Sequence, residues 1–221
     1  MAGNQEKPRT HAFLNLAPVG IADDGSYWKA TNVTPGTGIA QGIIAAYDAL
    51  KALFVLKNPT TSGKVYYMDY LRLIPTVVPA SATRSEIFVV LENLANFRYA
   101  SAGTTLVQKN ASMQSDNASA AVAVFGALVL NAAGANERKL ARAQLRNAIP
   151  VAFEEYVVSF GGTREHYPTT MGGTTGVRNI VNVGPAVAGP GHEVILHSWH
   201  PSNATTGATW EVEAAWFERL V

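Results

Sequence analysis

No cysteine occurs in the 221 residues, which excludes disulfide staples, thiolate metal sites and cysteine nucleophiles together. Charge is scarce as well. Only 15% of residues are Asp, Glu, Lys or Arg, against ~25% in a usual soluble domain, and 17 basic residues nearly balance 16 acidic ones. The basic side chains are scattered apart from Arg138, Lys139, Arg142 and Arg146, so nucleic acid is not an expected partner. Long apolar runs are also missing. The longest, Ala120 to Leu130, is far short of the ~20 residues that cross a bilayer as a helix, so no membrane partner is expected. The first thirty residues lack a basic cluster followed by an apolar block, and no secretory signal is read there.

What is present is apolar material: 48% of the chain, enough for one sizeable core. Residues 1–40 are rich in Gly, Thr, Asn, Asp and Pro, with turn signals at Asp23-Asp24-Gly25 and Pro35-Gly36-Thr37-Gly38. They read as an N-terminal arm. Phe13, Leu14, Leu16, Tyr27 and Trp28 are costly to leave in water at ~25 cal/mol per Å2, so part of the arm is expected to lie on the body or on a neighbour.

Residues 41–221 read as one β-sandwich domain. Short apolar runs with period two recur between Gly, Pro, Asn, Ser and Thr clusters, which is strand punctuation. Candidates are 53–56, 64–74 ending at Pro75, 86–92, 104–109, 120–130, 151–160, 192–199 and 209–217. In the last, Ala208, Trp210, Val212, Ala214 and Trp216 share one parity and Thr209, Glu211 and Glu213 the other, giving one core face and one wet face. Residues 133–148 are the main ambiguity: 136–145 hold good helix formers, but the apolar side chains of the region are mostly alanine, and a strand from about 140 to 149 is expected instead of a surface helix. Without βαβ alternation or internal repeats, the fold class expected is all-β: a two-sheet antiparallel sandwich, jelly-roll-like, behind an extended arm.

Two of these strands carry large apolar groups on both parities. Lys64 to Ile74 splits Val65, Tyr67, Leu71 and Leu73 from Tyr66, Met68, Tyr70 and Ile74, and Val151 to Phe160 splits Val151, Phe153 and Val157 from Tyr156, Val158 and Phe160. A sandwich buries only its inner faces, so the second face needs a loop, an arm or another chain. Tyr27, Trp28, Tyr66, Tyr70, Tyr156 and Phe160 are therefore the candidate oligomer or partner interface.

Chemistry is harder to find. His192 and His197 are five apart, whereas the zinc-protease motif needs His-Glu-x-x-His on a helix, and His192 and His200 lie roughly 26 Å apart along a strand at ~3.3 Å per residue. No His-x-His, Gly-x-Ser-x-Gly or phosphate-binding Gly-rich loop with its lysine occurs. No metal or cofactor is expected within one chain; a histidine shared around a symmetry axis stays open. Of the carboxylate pairs Asp23 with Asp24, Glu154 with Glu155, and Glu211 with Glu213, only the last shares a strand face, as a solvated face would in any case. The sequons at Asn32, Asn110, Asn117 and Asn203 read as coincidence in a chain rich in Asn and Thr. No enzymatic activity is expected.

Three segments together carry a resemblance: TSGKVYYMDYLRLIPT (61–76), LRNAIPVAFEEYVVSFGG (145–162), and GPGHEVILHSWHPS (189–202) with the terminal WEVEAAWFERL. They are similar in texture to virion structural proteins of tailed bacteriophages, in particular small jelly-roll proteins that coat or cement the capsid. Such proteins have no active-site motif, so no residue role carries over. The resemblance implies a homo-oligomer, commonly a trimer, made in the bacterial host cytoplasm and located on the capsid surface of the virion, where it ties major capsid subunits together. The alternative is a tail, fibre or head-surface module that binds host glycan.

Overall fold

The computed structural model describes residues 22, 24–93, 97–113, 115–134, 136–161 and 179–221. Numbered along the chain, the described residues form fifteen strands in two sheets. The first sheet runs β12 (Asn179–Val183), β11 (Tyr156–Phe160), β4 (Lys64–Val77), β15 (Ala208–Leu220), β1 (Tyr27–Thr31) and β8 (Val107–Asn110), with β13 (Val187–Ala188) on β4 and β2 (Ile39–Gly42) on β15. The second runs β10 (Arg138–Arg146), β5 (Ser85–Asn93), β14 (His192–Trp199), β3 (Lys51–Lys57), β9 (Val122–Leu130) and β6 (Tyr99–Ser101), with β7 (Thr104–Thr105) on β9. Every pairing is antiparallel except β11 with β12. The chain is an all-β, jelly-roll-like sandwich, as its alternating pattern predicts.

The core lies between the sheets. β15 contributes Ala208, Trp210, Val212, Ala214 and Trp216, which face Phe54, Leu56, Ile87, Val89, Phe125, Val194 and Leu196 of the opposite sheet. Trp210 and Trp216 are fully buried. Truncating either to Ala would cost about 3–5 kcal/mol.

Several expectations need correction. β4 does not stop at Pro75, which pairs with Trp210 while Thr209 pairs with Val77. The extra residue, Thr76, makes a bulge, and at a bulge a missing N–H is tolerated. A second bulge at Asp69, between the pairs Trp216 with Met68 and Ala215 with Tyr70, inverts the side-chain parity. The core side of β4 is thus Tyr66 and Met68, then Leu71 and Leu73, rather than a single odd or even set.

Residues 104–109 are not one strand. β7 belongs to the second sheet and β8 to the first, and the crossing residue Leu106 is buried, its N–H bonded to Ala123 O. Of residues 151–160 only Tyr156–Phe160 is strand. Residues 27–40, read as part of the arm, supply β1 and the first half of β2, with β1 held between β15 and β8. Phe13, Leu14 and Leu16, and residues 162–178, lie outside the described residues.

β10 is a strand despite its helical propensity. Ala141 and Ala143 pair with Val89 and Ile87, and with Leu140 they pack on the core, where Leu145 is buried. Small inward side chains let the edge strand sit close to the sheet, and pairing with β5 outweighs a propensity difference of tenths of a kcal/mol per residue.

Candidate functional site

All six residues named as an interface are buried within the single chain: Tyr27 5%, Trp28 6%, Tyr66 0%, Tyr70 6%, Tyr156 0% and Phe160 4% exposed. Trp28, Tyr66, Tyr156 and Phe160 belong to the inner core. Tyr27 and Tyr70 join Val157 and Ala215 on the outer side of the first sheet, with Ala22, Ile180 and Phe217 packed against them. Tyr27 Oη donates to Asp69, and Tyr70 Oη to Glu213. These six side chains, in β1, β4 and β11, are covered by their own chain, whereas Val151 and Phe153, read from the sequence as part of the second strand, lie before β11 and are exposed.

The outer face of the second sheet is covered in the same way. Val55, Val90 and Ile195 are fully buried there. Tyr47 stands edge-on to Phe88, His197 and Trp199 at 5.2–5.7 Å. Arg98, 1% exposed, donates from Nε to Asn131 O and from Nη2 to Ala49 O, and pairs with Glu137. Its backbone N–H and that of Tyr99 donate to Glu193 Oε2. Glu193 and Glu92 are cross-strand partners, both fully buried. Burial pushes both carboxyls above the ordinary carboxylate range, against the opposing pull of the Arg98 guanidinium and of backbone N–H groups, those of Arg98 and Tyr99 on Glu193 and that of Gly134 on Glu92.

Glu211 and Glu213 do share a face, and with Thr31, Asn32, Pro35, Arg72, Ile74 and Val212 they line a half-open cavity of about 190 Å3 on the first sheet. Both are already engaged. Glu211 accepts from Gly36 N, while Glu213 accepts from Tyr70 Oη and pairs with Arg72 and Lys29 at 3.3 and 3.5 Å. Burial alone would raise Glu213, but the Tyr70 hydrogen bond and the two cations take it below the usual range. A carboxylate fixed in that state is a poor general acid. Glu154 is bound by Arg146 and Tyr156, and Asp23 lies outside the described residues.

His192, His197 and His200 are separately bound. His192 Nδ1 faces the Gly189 and Pro190 carbonyls, and His197 Nδ1 donates to Lys51 O. Among the described residues no group of three His, Asp or Glu is placed to hold a metal ion. His200 belongs to an arrangement that spacing in the sequence did not signal. Gln41 Nε2 donates to Ser198 O, so Gln41 Oε1 is an acceptor, and it receives Trp210 Nε1–H and His200 Nε2–H. His200 Nδ1 must then accept from Ser85 Oγ, 3.0 Å away. The order Ser, His, Gln has the polarity of a nucleophile, base and orienting group. Ser85, His200 and Gln41 are each 0% exposed, so the trio ties β2, β5, β14 and β15 together inside the molecule. Desolvation lowers His200 to about 4.

Three of the four sequon amides have structural partners, and the fourth is buried. Asn32 bonds Thr37 O and Val212 N, Asn110 and Asn117 both donate to Gly25 O, and Asn203 is buried.

One surface feature remains: the turn between β10 and β11. Phe153 is 75% exposed at φ +64°, beside Val151 at 42% and Ile149 at 38%. A bulky side chain at positive φ is a conformational outlier, costing about 1–3 kcal/mol unless its surroundings impose it. They do so here. Phe153 N–H donates to Pro75 O at 2.8 Å, Glu154 N–H to Val151 O, and Val151 N–H to Tyr156 Oη, which donates to Glu154 Oε2 at 2.6 Å. Arg146 holds both Glu154 and Tyr156. Pro75 O brings the turn to the end of β4, where Val77 is 46% exposed. The sequence showed the apolar run Val151-Ala152-Phe153, but its alternation suggested a strand, and only the backbone reveals a fixed turn that presents Phe153 outward.

No family model, curated protein or solved structure matches this chain.

Proposed function

We propose that the chain is a non-enzymatic structural protein that works as a homo-oligomer, decorating and stabilising a phage capsid as the resemblance of its segments implies. The supporting observation is the Phe153 turn. An exposed aromatic whose strained backbone is held beside a partly buried Arg–Glu–Tyr network has the form of a preorganised binding anchor, since little backbone freedom is left to lose on association. The surrounding Val77, Ile149 and Val151 supply an apolar rim. Around a closed ring each subunit would present this turn to its neighbour, and three weak contacts to a lattice would add through effective concentration. The polar groups that could suggest catalysis are instead bound to structural partners: Glu213 by Tyr70 and cations, His200 by Ser85 and Gln41.

Co-sedimentation with undecorated capsids tests the lattice role. Wild-type protein is expected to bind and to raise capsid resistance to heat, and Phe153→Gly to bind at least tenfold more weakly. Binding of both proteins alike, or of neither, would contradict the proposal.

A further inference from the structure

The basic cluster noticed in the sequence becomes one edge of the molecule. Among the described residues β10 pairs as a strand with β5 alone, so it is the edge of its sheet; β12 of the other sheet packs close to it, and no described strand pairs with its side away from β5. Lys139 and Arg142 project beside it, with side chains 66% and 62% exposed. Arg142 also stands over the Trp199 ring, its guanidinium carbon 5.6 Å from the centroid. Arg84 and Arg142 both lean on a single carboxylate, Glu86, at 2.5 and 3.6 Å. Two guanidinium groups sharing one nearly buried acid leave a net positive charge on the outer face of the sheet beside β10, where Lys139 also lies 3.9 Å from Glu137.

We propose that the β10 edge receives an acidic, extended segment of a neighbouring protein, which adds as a strand while its carboxylates meet Arg84, Lys139 and Arg142. The charge selects the occupant. Another copy of β10 would bring like charges together along the whole strand, and a basic peptide would do the same, whereas an acidic strand satisfies both the backbone ladder and the excess charge. The open backbone favours a peptide over an acidic glycan, which has no main-chain groups to pair. The site is independent of oligomer formation, since a single copy carries all of it.

The probe is a fluorescein-labelled octapeptide of alternating Glu and Val, followed by anisotropy. Binding at low salt is expected, with affinity falling several-fold between 50 and 200 mM NaCl. Arg142→Glu and Lys139→Glu should each weaken it about tenfold, and Lys139→Glu should do so with little change in the thermal unfolding midpoint because its side chain is mostly exposed, whereas Arg142→Glu also gives up the Glu86 and Trp199 contacts. Replacing Val by Pro in the peptide should abolish binding by removing main-chain donors. The proposal is overturned if the acidic peptide does not bind, if the Pro peptide or an alternating Lys and Val peptide binds equally well, or if neither charge reversal matters. Equal displacement of the peptide by oligogalacturonate would assign the surface to an acidic glycan and likewise overturn it.

Discussion

His200 shows how a single residue carries pH dependence. Its imidazole is neutral in the folded state down to about 4, while the unfolded chain takes up the proton near 6.5. Between those values the unfolded state binds more protons, so the stability from a neutral His200 is complete above pH 6.5 and is lost as pH falls toward 4. The interval amounts to about 3 kcal/mol. Urea unfolding at pH 7.5 and pH 4 should show the advantage of the parent over His200→Gln shrinking by about that much; a constant gap would place the proton elsewhere. Glu193 acts in the opposite sense. Its folded carboxyl is raised above 4.5 by burial, so its contribution is present at low pH and lost as pH rises through the folded value. Glu193→Gln should therefore gain stability relative to the parent with rising pH, read from urea midpoints across pH 4.5 to 8. Neither residue was legible as buried from the sequence. His197 and His200 flank a Ser-Trp pair at a strand end, and only the strands meeting there from distant parts of the chain seal them.

At the scale of elements, the alternating pattern identified β3, β5, β9, β14 and β15 and even the core parity of β15, because one face of each strand meets the opposite sheet. It failed where a strand carries a bulge. One extra residue at Asp69 exchanges the faces of β4, and side-chain chemistry alone does not mark such an insertion. β9 has its own irregularity at Gly126, which lies at φ +119° with a would-be Cβ only 2.8 Å from Ile39 Cγ2 and 3.0 Å from Ala40 O. Gly126→Ala should destabilise by about 1–3 kcal/mol, measured by chemical unfolding; a neutral result would mean that β2 yields easily. The Phe153 turn behaves differently. Its positive φ suits glycine better than phenylalanine, so Phe153→Gly should leave the isolated fold as stable or raise its thermal midpoint. A marked loss of fold stability would show that Phe153 serves folding and not association.

For the whole molecule, the sequence suggested sheet faces that one copy could not cover. The structure covers the outer side of β4 and β11 with Tyr27 of β1, Ile180 and Phe217, and Tyr47 and Arg98, from segments that look like polar connections, do the same for the second sheet. What neighbours could complete is smaller and more local: the Val77, Ile149, Val151 and Phe153 surface beside β11. The most direct measurement is the solution mass by sedimentation velocity at micromolar concentration, for the parent and Phe153→Gly side by side. A small-integer multiple of the 23.5 kDa chain for the parent and a single chain for Phe153→Gly would agree with assembly through this turn. A single-chain mass for the parent, or an oligomer unaffected by the substitution, would contradict it.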